Sequence, residues 1–459
     1  MSTAIRASLL LLVLALCQTP LGGQTSGAGD RLIGPVVFNW FNATQGQCQT
    51  VWLPLEGRRA WDGSVKFWRK QEKDIMAAGF NMILFEVPFS WEQEQRNHLT
   101  AIKERRNESM PVPRIAPFFA AESFESYSEP KDISTAEGKD AFYGKIRDWF
   151  LLYRGVFSLE PGGRIDTSQL AFVGDKVLIC LWWVPLKDDY VPSGFFDYLN
   201  DRLYSDFGFR GYWSVHDYFR RGGADETNAL FNGPAPVKIG SNRSASLLVG
   251  FWPPGPEYPP DIFLARDSGR SYSDAWDRLI AVRGSTDRVY VESWNEYTEG
   301  SGMYAAQPVS HSPTDGHWAG APDARCWSEP CHPVPETDSW GTAGPWSYID
   351  ITRDKVERFL HGGSAGDLVP PHIMIAQPTD GQVVSGSIRF KTYASDNVGL
   401  KRLEFLLDGR LLDVSLVPFD YLLKTVFLAD GSHVLKVVAY DQSGNSDSDS
   451  VAVVVDNGR

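Results

Sequence analysis

Glu296 and Glu299 stand three residues apart, directly behind residues 288–294 (RVYVESW), where β-branched and aromatic residues alternate. Two carboxylates held close together are the working groups of glycosidic-bond hydrolysis: one keeps its proton for the leaving oxygen while the other stays ionised. Trp294 would supply an aromatic wall for a sugar ring, Asn295 a hydrogen-bond fork, and Gly300 a backbone free to turn away. A lone Glu-x-x-Glu also occurs as solvated loop residues or as helix caps. The strand-like run before it gives this pair a defined place. Strict alternation would set Tyr290, Glu292, Trp294 and Glu296 on one face, and Val289, Val291, Ser293 and Asn295 on the other. Glu292 then has two readings: a supporting group below the site, facing a barrel lumen, or a partnered buried acid with a structural role.

Other polar and aromatic groups fall at the ends of strand-like runs. Asn39 and Trp40 belong to the run 36–41, Glu86 to 81–87, and Glu122 follows 114–119. Trp182, Trp183, Asp188 and Asp189 lie at or beyond the end of 177–184, Trp213, His216 and Asp217 at the end of 211–215, and Trp252 closes 246–252. A single Trp usually means core, but several on one rim make a stacking surface for sugar faces. The expected substrate-binding residues are therefore Trp40, Glu122, Trp252, Trp294, Asn295 and His216; the last can also be read as a cap or packing group.

The runs that position these residues alternate with helical patterns at 64–78, 135–153, 193–204, 271–281 and 352–360; residues 288–294 form a seventh strand and 237–239 a weak eighth. That order predicts a (β/α)8 TIM barrel over residues 30–362, with its active site at the C-terminal ends of the strands. All 16 tryptophans precede residue 347. Past a Gly/Ser/Pro-rich linker at 363–371, period-two runs separated by Asp-Gly turns predict an all-β immunoglobulin-like sandwich over 372–459, seven-stranded and without an inter-sheet disulfide. Its few aromatics (Tyr393, Tyr421 and Tyr440 among them, and no Trp) favour a spacer or docking role over sugar binding.

Arg6 followed by the apolar run 9–16 reads as an export signal within residues 1–23, too short to span a membrane, so a secreted protein, extracellular or periplasmic, is expected. A net charge of −13 without a basic cluster argues against nucleic acid and anionic membranes as partners. It suits an enzyme acting on a neutral or cationic polymer, a carbohydrate. Cys326 and Cys331 are close enough to bridge in an oxidising compartment, whereas Cys180, in an apolar run, should stay free. His311, His317 and His332 share one loop at irregular gaps that match no zinc spacing, and neither metal nor cofactor is expected.

The stretch Trp294-Asn295-Glu296-Tyr297-Thr298-Glu299-Gly300 resembles the Trp-Asn-Glu-Trp-x-Glu-Gly motif of the endo-α-mannosidase family, glycoside hydrolase family 99, and its bacterial relatives. Residues 266–272 (RDSGRSY) with Trp276, and the opening strand 36–41 followed by Asp62-Gly63 and a helix, are similar to the corresponding family segments. The resemblance covers residues 30–362 and leaves the C-terminal domain outside the family's core. It implies that both glutamates are catalytic in a retaining reaction through a 1,2-anhydro sugar. Glu296 would take the proton of the sugar 2-hydroxyl, and Glu299 would protonate the leaving oxygen and later activate water. The family often carries His where Thr298 stands, so a mannoside is favoured by the family and not fixed by the motif. Other readings are a barrel hydrolase of another family acting on α-glucans, and a catalytically silent carbohydrate-binding surface protein.

Overall fold

The computed structural model describes residues 31–39, 55, 61–88, 90–124, 131–158, 164–216, 219, 222–231, 235–251, 264–295, 301–306, 345–361, 369–396, 399–415, 420–441 and 443–458. The expected export signal and the Cys326–Cys331 pair lie outside these residues, as do the three loop histidines. Among the described residues no helix is long and apolar enough to cross a membrane.

The large domain is built on β1 (Leu32–Val37), β2 (Met82–Glu86), β3 (Arg114–Phe119), β4 (Phe172–Val173), β5 (Lys176–Leu181), β6 (Gly211–Val215), β7 (Glu226–Thr227), β8 (Val237–Ile239), β9 (Ser244–Leu248) and β10 (Arg288–Glu292). Nine strands lie in the order β7-β6-β5-β3-β2-β1-β10-β9-β8, with β4 attached to β5; all neighbours from β7 to β9 are parallel. Alternate residues divide between two cores. Ile33, Ile83, Phe85, Ile115, Ile179 and Val289 pack outward under the helices, while Leu32, Met82, Leu84, Phe118, Leu178, Cys180 and Tyr290 meet on the inner face. Residues of six strands form one inner cluster, which requires the sheet to curl.

Among the described residues the curl does not close into eight paired parallel strands. Residues 237–239, the expected eighth strand, run antiparallel to β9, and pairing stops at β7 on the other side. The gap is bridged locally: Ser241 N donates to the Thr227 carbonyl at 2.8 Å and Thr227 N to Ser241 Oγ at 2.7 Å. Side chains complete the closure inside. Glu226 on β7 accepts from Ser214 Oγ of β6 at 2.6 Å, and from Arg288 Nε and Tyr290 Oη of β10 at 2.6 and 2.7 Å. One buried carboxylate thus ties the two arms of the sheet together. Cys180 is buried in this interior as a free thiol.

Among the described residues six α-helices cover the outer face: α1 (Val65–Ala77), α2 (Glu92–Asn107), α3 (Ala136–Phe157), α4 (Phe195–Phe207), α5 (Arg270–Ala281) and α6 (Ser347–His361). Ser64 caps α1 by accepting from Phe67 N, and Thr135 caps α3 through Gly138 N. The run 92–107 carries no clear apolar stripe, and α2 is absent from the helices expected above. Its buried side includes Glu94, Gln95, His98 and Arg105 beside Leu99 and Ile102. Polar inward residues erase the 3.6-residue pattern that normally reveals a helix.

The described residues of the small domain form eight strands where seven were expected: β11 (His372–Gln377), β12 (Gln382–Val384), β13 (Ser387–Ser395), β14 (Leu400–Leu407), β15 (Arg410–Ser415), β16 (Asp420–Lys424), β17 (Gly431–Asp441) and β18 (Ser446–Val455). They form sheets of three (β11-β13-β16) and five (β12-β18-β17-β14-β15). The Asp-Gly signal holds: Asp408 and Gly409 take φ 49° and 79° between β14 and β15, the left-handed pair of a tight hairpin. The three tyrosines serve internal contacts. Tyr421 stacks on Phe405, Tyr440 lies under the Arg402 guanidinium, and Tyr393 packs against the core of the large domain.

The two domains share a buried junction. Asp350 of α6 accepts from Arg353 Nη2 and from Ser395 Oγ of the sandwich, each at 2.9 Å, and His372 stacks on Trp346 with centroids 5.5 Å apart. Burial pushes the Asp350 carboxyl up to about 6 and drives the His372 imidazole well below its usual range, the latter helped by Arg353.

Candidate active site at the C-terminal ends of the strands

Glu296, Glu299, Trp40 and Trp252 lie outside the described residues, as does the side chain of Glu122, whose backbone forms a 3-10 turn (Ala121–Phe124) behind β3. The flanks of the two glutamates are described, and they are tightly held. Asn295 is fully buried; its Oδ1 accepts from Phe38 N at 2.8 Å and its Nδ2 donates to the Phe38 carbonyl at 2.9 Å. The amide fork therefore clamps the residue before Glu296 to the end of β1, a backbone role where substrate binding was expected. Trp294 N donates to the Val36 carbonyl at 2.8 Å. On the far side, Ser293 N reaches the Ser301 carbonyl at 3.2 Å and Met303 N the Trp294 carbonyl at 2.9 Å.

Glu296 and Glu299 thus fall in the sequence between two described stretches, 293–295 and 301–303, that are bonded to each other, the first of them also to residues 36–38. Gly302 is required in the second stretch, because a Cβ there would stand 2.7 Å from the Tyr304 ring and 3.2 Å from the Trp294 carbonyl. Arg266, buried with its guanidinium 4.6 Å from the Tyr348 ring centroid, donates to the Gly302 carbonyl at 2.5 Å. The reading by resemblance singles out its segment without a role for it; its role is to brace this return.

Trp294 requires a correction. Its ring is fully buried in the outer core and its Nε1 donates to Gln71 Oε1 of α1 at 2.9 Å, so no face is free to stack on a sugar. The strand ends at Glu292, and alternation carried past that point put Trp294 on the wrong side. Glu292 itself is a partnered buried acid: Lys238 Nζ lies 2.8 Å from its carboxylate. Burial raises its pKa against the pull of Lys238. His216 is half-buried at the end of β6, its N–H on the Leu181 carbonyl at 2.8 Å.

Above the inner core the described aromatics form a floor. Phe231 contacts Trp182, Phe38 and Phe118 with centroids 5.2, 6.2 and 6.2 Å apart. It sits at φ 52°, which costs a bulky residue on the order of 1–3 kcal/mol and persists where surrounding packing holds it.

A second polar chain reaches the rim from the helices. Asn39 Nδ2 donates to the Glu86 carbonyl and Asn39 N to Glu86 Oε2, at 2.5 and 3.2 Å. Its Oδ1 therefore faces His98 Nδ1, 2.7 Å away, and that nitrogen must donate. His98 Nε2 lies 2.6 Å from Glu72 Oε1, and the imidazole is stacked on Trp68. All four residues are buried. Glu86 and Asn39 were visible as strand-end residues, but nothing in the sequence linked them to Glu72 and His98.

Comparisons with known proteins fall into two parts. Residues 371–437 match the family described as Bacterial Ig domain. The chain is also similar to the GH99 endo-alpha-mannosidase of Bacteroides thetaiotaomicron, at 10% identity over 72% of this chain and 98% of that one, with a TM-score of 0.49. A structure titled "Glycoside hydrolase-like protein" is similar at 11% identity, over 74% of this chain and 97% of that one, TM-score 0.45. Fibronectin(III)-like modules of Clostridium thermocellum are similar at 26% identity over 19% of this chain and 46% of that one, TM-score 0.17. No curated protein matches the sequence.

Proposed function

We propose that the chain is a secreted, retaining glycoside hydrolase that cleaves a neutral glycan, a mannoside favoured, with Glu296 and Glu299 as its acid/base pair. One observation carries this reading. Glu296 and Glu299 follow the C-terminal end of a parallel strand in the sequence, and the described residues on either side of them are bonded to each other through Ser293–Ser301 and Trp294–Met303. Catalytic residues of curled parallel sheets come from such positions. Close carboxylates cannot both ionise freely, so one can keep a proton near neutral pH while its neighbour stays charged. Glu296 would act as base on the 2-hydroxyl and Glu299 as acid on the leaving oxygen. Phe38 and Trp182, both in contact with Phe231 at the strand ends, are the described aromatics proposed to face the sugar.

The test is release of new reducing ends from mannans, α-glucans and reporter glycosides by the full chain. Release from at least one of them is expected. Binding without release from any would overturn the reading in favour of a silent carbohydrate-binding protein.

A further inference from the structure

Between α2 and α3 lies a groove of about 440 Å³ that takes no part in the site above, walled by Val87 and Pro88 behind β2, Ser123 behind β3, Gln95 of α2, and Trp149 and Leu152 of α3. Gln95 and Trp149 are only 4% and 2% exposed. Gln95 Nε2 donates to the Pro88 carbonyl at 2.9 Å, yet its Oε1 has no partner among the described residues, and neither has Trp149 Nε1. A buried acceptor and a buried donor left open cost stability unless something fills them.

We propose that this groove binds one or two sugar residues of a neutral glycan, a reading that rests on the proposed hydrolase for the choice of glycan. A sugar hydroxyl can donate to Gln95 Oε1 while another accepts from Trp149 Nε1, and Val87, Pro88 and Leu152 offer apolar surface to the ring. The volume falls in the ordinary range for small-ligand sites, about 300–1,000 Å³. The rim disfavours an ionic ligand: Glu92 and Asp148 balance Arg96 and Lys145, and Arg96 is paired with Glu92 at 2.7 Å. Val87, Pro88 and Ser123 directly follow β2 and β3, so the groove lies toward the strand ends that carry the candidate site. A glycan reaching past the reacting bond could rest its far end there.

The experiment uses the full-length Glu299→Gln chain and mannotetraose or maltotetraose as probe, followed on the indole N–H resonance that disappears in Trp149→Phe. That resonance should shift on titration. Gly155→Phe should weaken the binding by about 10-fold or more, a loss of about 1.4 kcal/mol. A Cβ at Gly155 meets only Arg96 Nη1, at 3.9 Å, so the new ring fills the groove without a backbone clash. An unmoved resonance with both sugars, or a shift untouched by Gly155→Phe, overturns the proposal. Binding is read without turnover. If the groove binds in Glu299→Gln and the parent chain releases no reducing ends, the hydrolase alone is refuted; if the parent cleaves glycans and this resonance stays unmoved, the groove alone is refuted.

Discussion

The sandwich core is Ile373, Phe390, Leu403, Phe405, Leu435 and Val453 with their apolar neighbours, whereas the large domain closes its sheet around Glu226, Arg288, Glu292 and Lys238 and sets Glu72 and His98 beneath its helices. Among the buried polar groups of the sandwich, Thr425 holds a turn on Gly386 and Asp441 one on Asn445, while His372 and Ser395 face the junction. Taking an ion out of water costs several kcal/mol even after relaxation. In the sandwich the fully buried carboxylate is Asp441, which accepts from the backbone and side chain of Asn445 and so holds a turn. In the large domain the charged groups cluster where strand ends must be held in place: Glu226 joins the two arms, Glu292 ends the strand that leads to Glu296, and the Glu72–His98 pair fixes Asn39. Rigid support of this kind is what a reacting geometry needs.

The comparison breaks most sharply at Glu226. Glu226→Leu leaves the Arg288 guanidinium buried without its counter-charge and should cost about 3–5 kcal/mol, read as the fall in the denaturant midpoint. Leu403→Ala in the sandwich should cost a similar amount, about 2–5 kcal/mol, through the cavity it leaves, with glycosidase turnover retained. If Leu403→Ala abolished turnover in protein that is still folded, the two domains would not be separable in this way.

A smaller effect sharpens the same contrast. His98→Leu removes the donor to Asn39 and the partner of Glu72, which should cost about 1–3 kcal/mol. Turnover should fall with it, while Leu403→Ala, at least as destabilised, keeps its rate. Equal rates in the two variants would make the His98 chain purely structural.

The junction gives the smallest effect, and its sign can be worked out. Asp350 has its folded pKa raised from 3.8 to about 6, so it adds stability as pH falls through 6. His372 is lowered well below 6.5, so its contribution is present above 6.5 and is lost as pH falls. The two slopes oppose each other as pH falls below about 6, where both groups change protonation between the folded and unfolded chains. Asp350→Asn removes one of them, and thermal unfolding of that variant should lose stability on acidification more steeply than the parent, by up to about 1.4 kcal/mol per pH unit. Parallel curves would refute the assignment.

What could be read in advance follows the same division. Apolar alternation revealed the strands of both domains, and Asp408-Gly409 announced its hairpin, because these features are local. The helix Glu92–Asn107 was hidden because its inward face carries Gln95, His98 and Arg105, whose partners lie far away in the sequence. Trp294 was misplaced for a related reason: alternation says nothing once the strand stops at Glu292. Asn295 was rightly seen as a fork, but its two bonds go to the Phe38 backbone, 257 residues distant. Short-range pattern gives elements; the contacts that shape the rim are long-range.

The most direct test of the central claim compares Glu299→Gln and Glu296→Gln on two substrates of one sugar, a natural glycan and a glycoside with an activated leaving group. Loss of a general acid matters most when the leaving group is poor, and such catalysis is worth about 10²–10⁴-fold. Glu299→Gln should therefore lose about that factor on the glycan and far less on the activated glycoside, and Glu296→Gln should fail on both. Near parental rates for both variants on a substrate the parent cleaves would contradict the account.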